Sequence, residues 1–425
     1  MKADIVIKNI SQLVTMEGPD RPRIKEEMKN IGLIENGILA ISGDEIIYVG
    51  EGELPEYIVT CDETLIIDGT GKTVTPGLVD PHTHLIHGGS RENELSMKLN
   101  GMKYMDILKA GGGILSTVRA TQKASFEELY TKAEKSLNTM LEFGVTTVEA
   151  KSGYGLDTET ELKQLRVAKE LNERHPVDIV STFMGAHAIP AEYKDSPEKF
   201  VDIIINEMLP KVAEENLAEF CDVFCEEGVF TVDQTRRILN AAREYGMLPR
   251  VHADEIEPFG GAELAAEIEA ISADHLVAAS EAGMRMMADK GIIADLLPAT
   301  SFNLATGKFA NARKMIELGV PVALSTDYNP GSSPTENLQL VMYFASLILR
   351  MTPEEVFTAV TINSACSLRR EEIIGSLRKG KRADIVIFDS PNINYIIYHF
   401  GINHVDIVIK NGKIVVEKGR TKGAF

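Results

Sequence analysis

The chain is poor in cysteine, in positive charge and in long apolar runs. Only four cysteines occur among its 425 residues: Cys61, Cys221, Cys225 and Cys366. No pair has zinc-knuckle or redox spacing, so these read as reduced core thiols of a cytosolic protein. Lysine and arginine number 44 against 63 aspartates and glutamates, leaving a net charge of −19 and a pI near 5.0. Such a surface repels polyanions, which argues against nucleic acid as a partner, and the acidity is read as serving solubility. No stretch approaches the roughly 18 apolar residues of a membrane helix. Met1-Lys2-Ala3-Asp4 places a charge inside the would-be signal region, and no adequate apolar segment follows. The expectation is a soluble, cytoplasmic protein without a nucleic-acid or membrane partner. Hydrophobic residues still make up 44% of the chain, enough for a sizeable core.

What is present begins with Asp80-Pro81-His82-Thr83-His84. It ends a short apolar run, Val74-Thr75-Pro76-Gly77-Leu78-Val79, that reads as a buried strand. Side chains two apart on a strand face the same way, so His82 and His84 project together from its C-terminal end. Two more candidate ligands end apolar runs downstream. Leu248-Pro249-Arg250-Val251 leads into His252-Ala253-Asp254-Glu255, and Val320-Pro321-Val322-Ala323-Leu324-Ser325-Thr326 leads into Asp327. Three imidazoles and a carboxylate suit a first-row divalent metal, zinc or iron.

Eight strand-like runs can be counted, at 78–84, 146–151, 177–187, 220–225, 248–254, 271–276, 291–299 and 320–327. Helical spacing lies between them, over 127–143, 159–173, 197–215, 233–245 and 310–318, and again at 336–350 after the last. Strands alternating with helices imply a parallel sheet, and eight such units imply a closed (β/α)8 TIM-like barrel with its active site at the C-terminal strand ends. A doubly wound open sheet is the alternative, but it would not bring first and last strands together.

The flanks differ. Residues 1 to about 70 are rich in Ile and Val and carry turn signals such as Glu35-Asn36-Gly37. Asp4-Ile5-Val6-Ile7-Lys8-Asn9 recurs as Asp406-Ile407-Val408-Ile409-Lys410-Asn411, with Asp384-Ile385-Val386-Ile387 as a third copy of the core. Both termini are therefore expected to supply strands to one small β-domain beside the barrel. The expected division is 1–70 and 366–425 for that domain and 71–365 for the barrel, with 353–364 as a closing helix.

Further residues around the strand ends could serve hydrolysis. Water on a bound metal can reach a pKa of about 7. Glu255 could take its proton and pass it to a leaving nitrogen, or it is a solvated loop carboxylate beside Asp254 and Glu257. His275 could polarise a carbonyl or orient the water, or it forms a structural pair with Asp274. Arg91, after Gly88-Gly89-Ser90, could grip a substrate carboxylate, or it pairs with Glu92 or Glu94 at the surface. Lys151-Ser152-Gly153-Tyr154-Gly155, Gly185-Ala186-His187 and Asn329-Pro330-Gly331-Ser332-Ser333 would join it on the same face of a barrel.

At these motifs the chain resembles the imidazolonepropionases, a branch of the amidohydrolase superfamily. The matching segments include Pro81-His82-Thr83-His84, Gly88-Gly89-Ser90-Arg91-Glu92-Asn93-Glu94, Ala110-Gly111-Gly112-Gly113-Ile114, Lys151-Ser152-Gly153-Tyr154-Gly155-Leu156 and Phe224-Cys225-Glu226-Glu227-Gly228. Gly185-Ala186-His187-Ala188, His252-Ala253-Asp254-Glu255, Ser272-Ala273-Asp274-His275-Leu276 and Thr326-Asp327-Tyr328-Asn329-Pro330-Gly331-Ser332 complete the set. The resemblance implies hydrolysis of 4-imidazolone-5-propanoate to N-formimidoyl-L-glutamate in histidine degradation, a barrel with a small β-sandwich domain split between both chain termini, and a homodimer. It implies one zinc or iron ion per chain on His82, His84, His252 and Asp327. Glu255, His275 and Asp327 would serve the water and its protons. Arg91, Tyr154, His187, Glu255, Asn329, Gly331 and Ser332 would hold the substrate. Lys151 would be a structural or substrate-side cation. Another metal-dependent hydrolase or aminohydrolase acting on a nucleobase-like ring is the runner-up, and a non-catalytic barrel the third reading. Asn363–Arg370 is more charged than the branch's usual segment, which bears on local packing.

Overall fold

The computed structural model describes residues 1–102 and 112–422. Each of the eight expected runs holds one strand of a parallel sheet: β1 (Leu78–Asp80), β2 (Val145–Lys151), β3 (Asp178–Ala186), β4 (Phe220–Cys225), β5 (Leu248–Ala253), β6 (Ser272–His275), β7 (Ile293–Leu296) and β8 (Val322–Leu324). Every strand pairs with its sequence neighbour. The chain just past β1 meets the chain just past β8. Thr83 bridges Tyr328, Asp327 N–H donates to the His82 carbonyl at 3.0 Å, and His84 N–H donates to the Tyr328 carbonyl at 2.9 Å. First and last strands therefore come together, as a barrel requires and an open sheet forbids.

The first apolar run serves two sheets, where a single strand was expected. Thr73–Pro76 belongs to the terminal sheet and Leu78–Asp80 to the barrel, with Gly77 between them. A Cβ at Gly77 would lie 2.2 Å from Thr146 Oγ1, so only glycine lets the chain cross so close to β2.

Helices fill the expected gaps because their apolar positions recur on one face and their starts are capped. Phe126–Glu142 begins at Ser125, whose hydroxyl accepts from Glu128 N–H while Glu128 returns to the Ser125 N–H. Its Leu129, Ala133, Leu137 and Leu141 are buried against the barrel. The segment expected as one helix over 197–215 widens into a π-helical turn at Ile204–Met208. Pro210 lies just beyond and has no N–H to give the ladder. The closing helix expected at 353–364 is broken in two, Pro353–Ala359 and Ile362–Ser367. Gly261–Glu267, Glu281–Lys290 and Pro298–Leu304 are helices that the spacing did not reveal, two of them only seven residues long.

The two chain ends build one nine-stranded sheet. The repeated Ile-Val-Ile segments lie in three of its strands, Ile5–Val14, Ile385–Phe388 and Val405–Lys410. Ile5, Ile7, Leu39, Ile41, Ile385, Ile387 and Ile409 form a core of their own. Other side chains of these strands, Val386, Phe388, Val405 and Val408, join the main core beneath the barrel helices. The alternation along each strand thus splits its apolar residues between two cores. Asn363, in the segment that departs from the branch, is fully buried and ties Arg23 to the Val322 carbonyl. The cysteines correct one expectation. Cys221, Cys225 and Cys366 are buried free thiols, but Cys61 is exposed rather than in a core.

Candidate active site

His82 and His84 lie two and four residues beyond the end of β1, not within it. Their common direction survives because Thr83 between them is held in extended register. Its hydroxyl donates to the Glu149 carbonyl at 2.6 Å and it bridges Tyr328. The ring centroids of His82 and His252 are 4.5 Å apart, and those of His252 and His275 are 5.0 Å apart. Asp327 Oδ1 lies 3.5 Å from His82 Nε2 and 3.7 Å from His84 Nε2. His275 and Asp327 both carry positive φ, at 73° and 52°. The backbone there turns sharply at the strand ends and aims the side chains inward, a cost that functional sites commonly carry.

Buried nitrogen without a partner is costly, yet the Nε2 atoms of His82, His252 and His275 have no hydrogen-bond partner among the described residues. Ligand atoms of His82, His84 and Asp327, and likewise of His82, His252 and His275, fall within 4.8 Å of one another. Each of two rings is fixed through its other nitrogen. His82 Nδ1 donates to Asp274 Oδ2 at 2.7 Å and His252 Nδ1 donates to Asp222 Oδ2 at 2.9 Å. A carboxylate on Nδ1–H sets the tautomer that leaves Nε2 as a lone pair, the usual support for a metal-ligating histidine. The residues present fit a divalent cation.

Beneath the histidines lies a layer of charge sealed from water. Lys151 Nζ donates to Glu149 at 2.7 Å and to Asp222 at 2.8 Å, and sits 3.5 Å from Asp274. Arg250 bonds Asp295 at 2.6 Å. All six side chains are fully buried. Burial disfavours the Lys151 ammonium, but Asp222 and Glu149 outweigh it and hold its pKa above the ordinary lysine value. Burial likewise opposes ionised Asp222, while His252 and Lys151 pull it well below the usual carboxylate range. Lys151 is thus a structural cation under the site, occupied by carboxylates. Asp274 does not pair with His275; it holds His82 and accepts from the Ser272 hydroxyl. The sequence reading missed Glu149, Asp222 and Asp295. Their signal was a carboxylate within a strand run: Asp222 and Asp295 among apolar neighbours, and Glu149 between Val148 and Ala150.

Glu255 is no solvated loop carboxylate. Its Oε1 lies 3.7 Å from His275 Nδ1. Burial above all, with the nearby Asp327 charge adding to it, pushes its pKa up to about 8. The loop that carries it is pinned from below by Asp254, whose carboxylate accepts from the N–H groups of Phe259, Gly260, Gly261 and Ala262. Asp327 is raised to about 6 by burial, opposed by the Thr300 hydroxyl that donates to its Oδ2 at 2.6 Å.

A cavity of about 560 Å3 opens beside this cluster. Arg91, Tyr154, His187, Glu255, Asn329, Gly331 and Ser332 all line it, mixed with apolar Ile114, Phe224, Ile256 and Leu304. Arg91 pairs with Glu94, not Glu92: Nε and Nη2 donate to the two carboxylate oxygens, each at 2.9 Å. Its Nη1 rests over Gly331, where a Cβ would stand 1.9 Å away, so only glycine admits the guanidinium. Asn329 shapes its own loop, accepting from the N–H groups of Gly331 and Ser332 at 2.8 Å. His187 stacks on His84 at 4.6 Å and donates from Nδ1 to the Gly153 carbonyl at 3.0 Å. Burial lowers its pKa to about 3, so the ring is neutral. Ala110 and Gly111, in another matching segment, lie outside the described residues.

Comparison with known proteins adds to this geometry. The amidohydrolase family model matches residues 73–415. The chain is 64% identical to the imidazolonepropionase of Alkaliphilus metalliredigens (strain QYMF) over 420 residues, 99% of this chain and 100% of that one. It is 54% identical to the imidazolonepropionase of Geobacillus kaustophilus (strain HTA426) over 419 residues, 98% of this chain and 99% of that one. Among solved structures, atrazine chlorohydrolase TrzN from Arthrobacter aurescens TC1 complexed with zinc superposes with a TM-score of 0.70 at 17% identity, covering 99% of this chain and 97% of that one. An adenosine deaminase from Xanthomonas campestris with bound zinc gives 0.70 at 18% identity, covering 100% and 95%. These two show a shared fold.

Proposed function

The chain belongs to the amidohydrolase family, and we infer that it acts within it as an imidazolonepropionase. It hydrolyses the cyclic amide bond of 4-imidazolone-5-propanoate to give N-formimidoyl-L-glutamate. The observation that carries this reading is the cavity: Arg91, Tyr154, Asn329, Gly331 and Ser332, from three motifs shared with that branch and on loops after β1, β2 and β8, line one space beside the histidine cluster. The near-full-length identity to imidazolonepropionases supports it.

His82, His84, His252 and Asp327 hold one zinc or iron ion per chain. When bound, such an ion polarises a carbonyl and lowers the pKa of water to about 7. Asp222 and Asp274 keep the two imidazoles they touch in the ligating tautomer. Glu255 takes a proton from the attacking water and delivers it to the ring nitrogen as the C–N bond breaks and the water oxygen joins the carbonyl carbon. His275, against Glu255, orients the water. Arg91 offers the Nη1 edge, left over from Glu94, to the propanoate. Tyr154 and His187 pack on the ring, while Asn329, Gly331 and Ser332 close the loop over it. The enzyme works as a homodimer in the cytoplasm. Exposed Leu347, Tyr398, Phe400 and Ile402, carried on or beside two packed helices, supply an apolar face for a second copy. No helix among the described residues is long and apolar enough to cross a membrane.

The test is to follow loss of imidazolonepropanoate absorbance with purified protein, with and without a chelator. Turnover that stops on chelation and returns with zinc or iron is expected. No turnover by metal-replete protein, with ammonia released from a nucleobase-like ring instead, would overturn the reading in favour of an aminohydrolase.

A further inference from the structure

Glu161 has no place in the chemistry above, yet it is a fully buried carboxylate a short reach from the cavity. It lies in the first turns of the helix Thr158–Arg174, which follows the loop after β2. Its two oxygens accept three backbone N–H groups of that loop: Gly153 at 2.9 Å, Gly155 at 2.7 Å and Leu156 at 2.9 Å. The loop needs such a clamp. Gly153 has a φ of +106° and Leu156 one of +55°, so the backbone turns twice through the left-handed region. The same loop presents Tyr154 to the cavity. It also presents the Gly153 carbonyl, which accepts from His187 Nδ1–H.

We propose that Glu161 is a positioning residue for substrate binding, acting through Gly153 to set the tautomer and orientation of His187. The proposal rests on the reading that His187 contacts the substrate. The link is physical at each step. Glu161 Oε2 holds the Gly153 N–H, which fixes the plane of the turn at Gly153. That turn aims the Gly153 carbonyl at His187 Nδ1. A carbonyl only accepts, so Nδ1 keeps the proton and Nε2 keeps a lone pair. A glutamine at 161 can still accept from Gly155 and Leu156 through its one oxygen. It would set an amide NH2 against the Gly153 N–H, two donors face to face, and the clamp would open at the end that serves His187.

The experiment uses metal-replete enzyme and 4-imidazolone-5-propanoate. Glu161→Gln is expected to raise KM about tenfold while kcat stays within about twofold and bound metal is unchanged. In a His187→Ala background the same change should cost less than about twofold, because the residue it acts through is gone. A purely structural role predicts equal losses in both backgrounds, and that result, or a wild-type KM, would overturn the proposal. Should Glu161→Gln fail to fold, Gly153→Ala strikes the link from its other side: its Cβ would stand 2.9 Å from His187 Nδ1. It should give the same KM signature and the same non-additivity, and a normal KM there would refute the link. An independent readout is nitrogen NMR of labelled histidines. The His187 Nδ1–H should be resolved in wild type and lost to exchange in Glu161→Gln; its persistence would overturn the proposal. If wild type does not turn over the compound, the functional reading fails, and the NMR result still decides the positioning link.

Discussion

At the scale of single residues, the ligand candidates were legible because each stands at the end of an apolar run, where a barrel strand delivers its side chain to one common face. His82, His84, His252 and Asp327 each end an apolar run, and the barrel converts that shared position into proximity. What holds them was not legible. Asp222 touches His252 from the neighbouring strand and Asp274 touches His82 across the barrel, and nothing local in their strands points to those partners. For Glu255, replacement by glutamine keeps the shape but removes the proton acceptor. Activity is expected to fall roughly 10²–10⁴-fold with metal content intact; single-turnover rates with parallel metal analysis decide it, and a near-normal rate would move the role to His275 or Asp327. Arg91 tests specificity. A charged hydrogen bond contributes about 1.5–3 kcal/mol net, so Arg91→Met should lower kcat/KM for the natural substrate at least about tenfold. An imidazolone without the propanoate should lose much less. Equal losses on both compounds would mean that Arg91 serves only its ion pair with Glu94.

At the scale of elements, the strands were readable because a barrel strand is buried on both faces and shows as a short continuous apolar run. The short helices after β5 and β7 were not, since seven residues barely complete two turns and leave too little periodicity to detect. The break at Gly77 was hidden for a different reason: both halves of the run are apolar, and only the tertiary partner differs. Strands β2, β4 and β6 are tied together by Lys151, whose ammonium is shared by Glu149, Asp222 and Asp274. Lys151→Met should leave three buried carboxylates without their central cation. Breaking a buried pair in this way costs about 3–5 kcal/mol, so the urea midpoint should drop markedly. An unchanged midpoint would mean that Arg250 alone neutralises the layer.

At the scale of the whole molecule, the echo between the chain ends foretold a joint domain, because strands of one sheet face the same core and converge on the same Ile-Val-Ile pattern. The acid limb of stability should be set in part by two buried neutral histidines. Burial lowers His175 to about 4 and His87 to about 3, against an ordinary 6.5. Above pH 6.5 both are neutral in folded and unfolded chains alike, and their contribution is fully present. As pH falls below that, the unfolded chain takes up protons that the folded one refuses, and stability declines by about 1.4 kcal/mol per pH unit for each. His175 Nδ1 accepts from the Val177 N–H, a bond that protonation would break. In His175→Gln the loss of stability between pH 7 and 5 should shrink by roughly 2 kcal/mol relative to wild type. Denaturant midpoints at the two pH values measure it, and identical slopes would assign the acid limb to carboxylates.

The seam of the barrel gives the site a temporal order. Thr326 and Asp80, which hydrogen-bond across it, stand 246 residues apart in the chain, and the proposed ligands His82 and Asp327 flank that same join. Loop-closure entropy makes so distant a pairing a late event in folding. Half of the proposed coordination sphere arrives with the first strand and its carboxylate with the last, so the nascent chain cannot assemble that ligand set until about three quarters of its 425 residues have been made. An ion captured by that set would act as a latch. It favours the closed ring by mass action, and every opening of the seam is also an opportunity to lose the ion. Ion exchange in the folded enzyme should therefore keep time with the breathing of this one join.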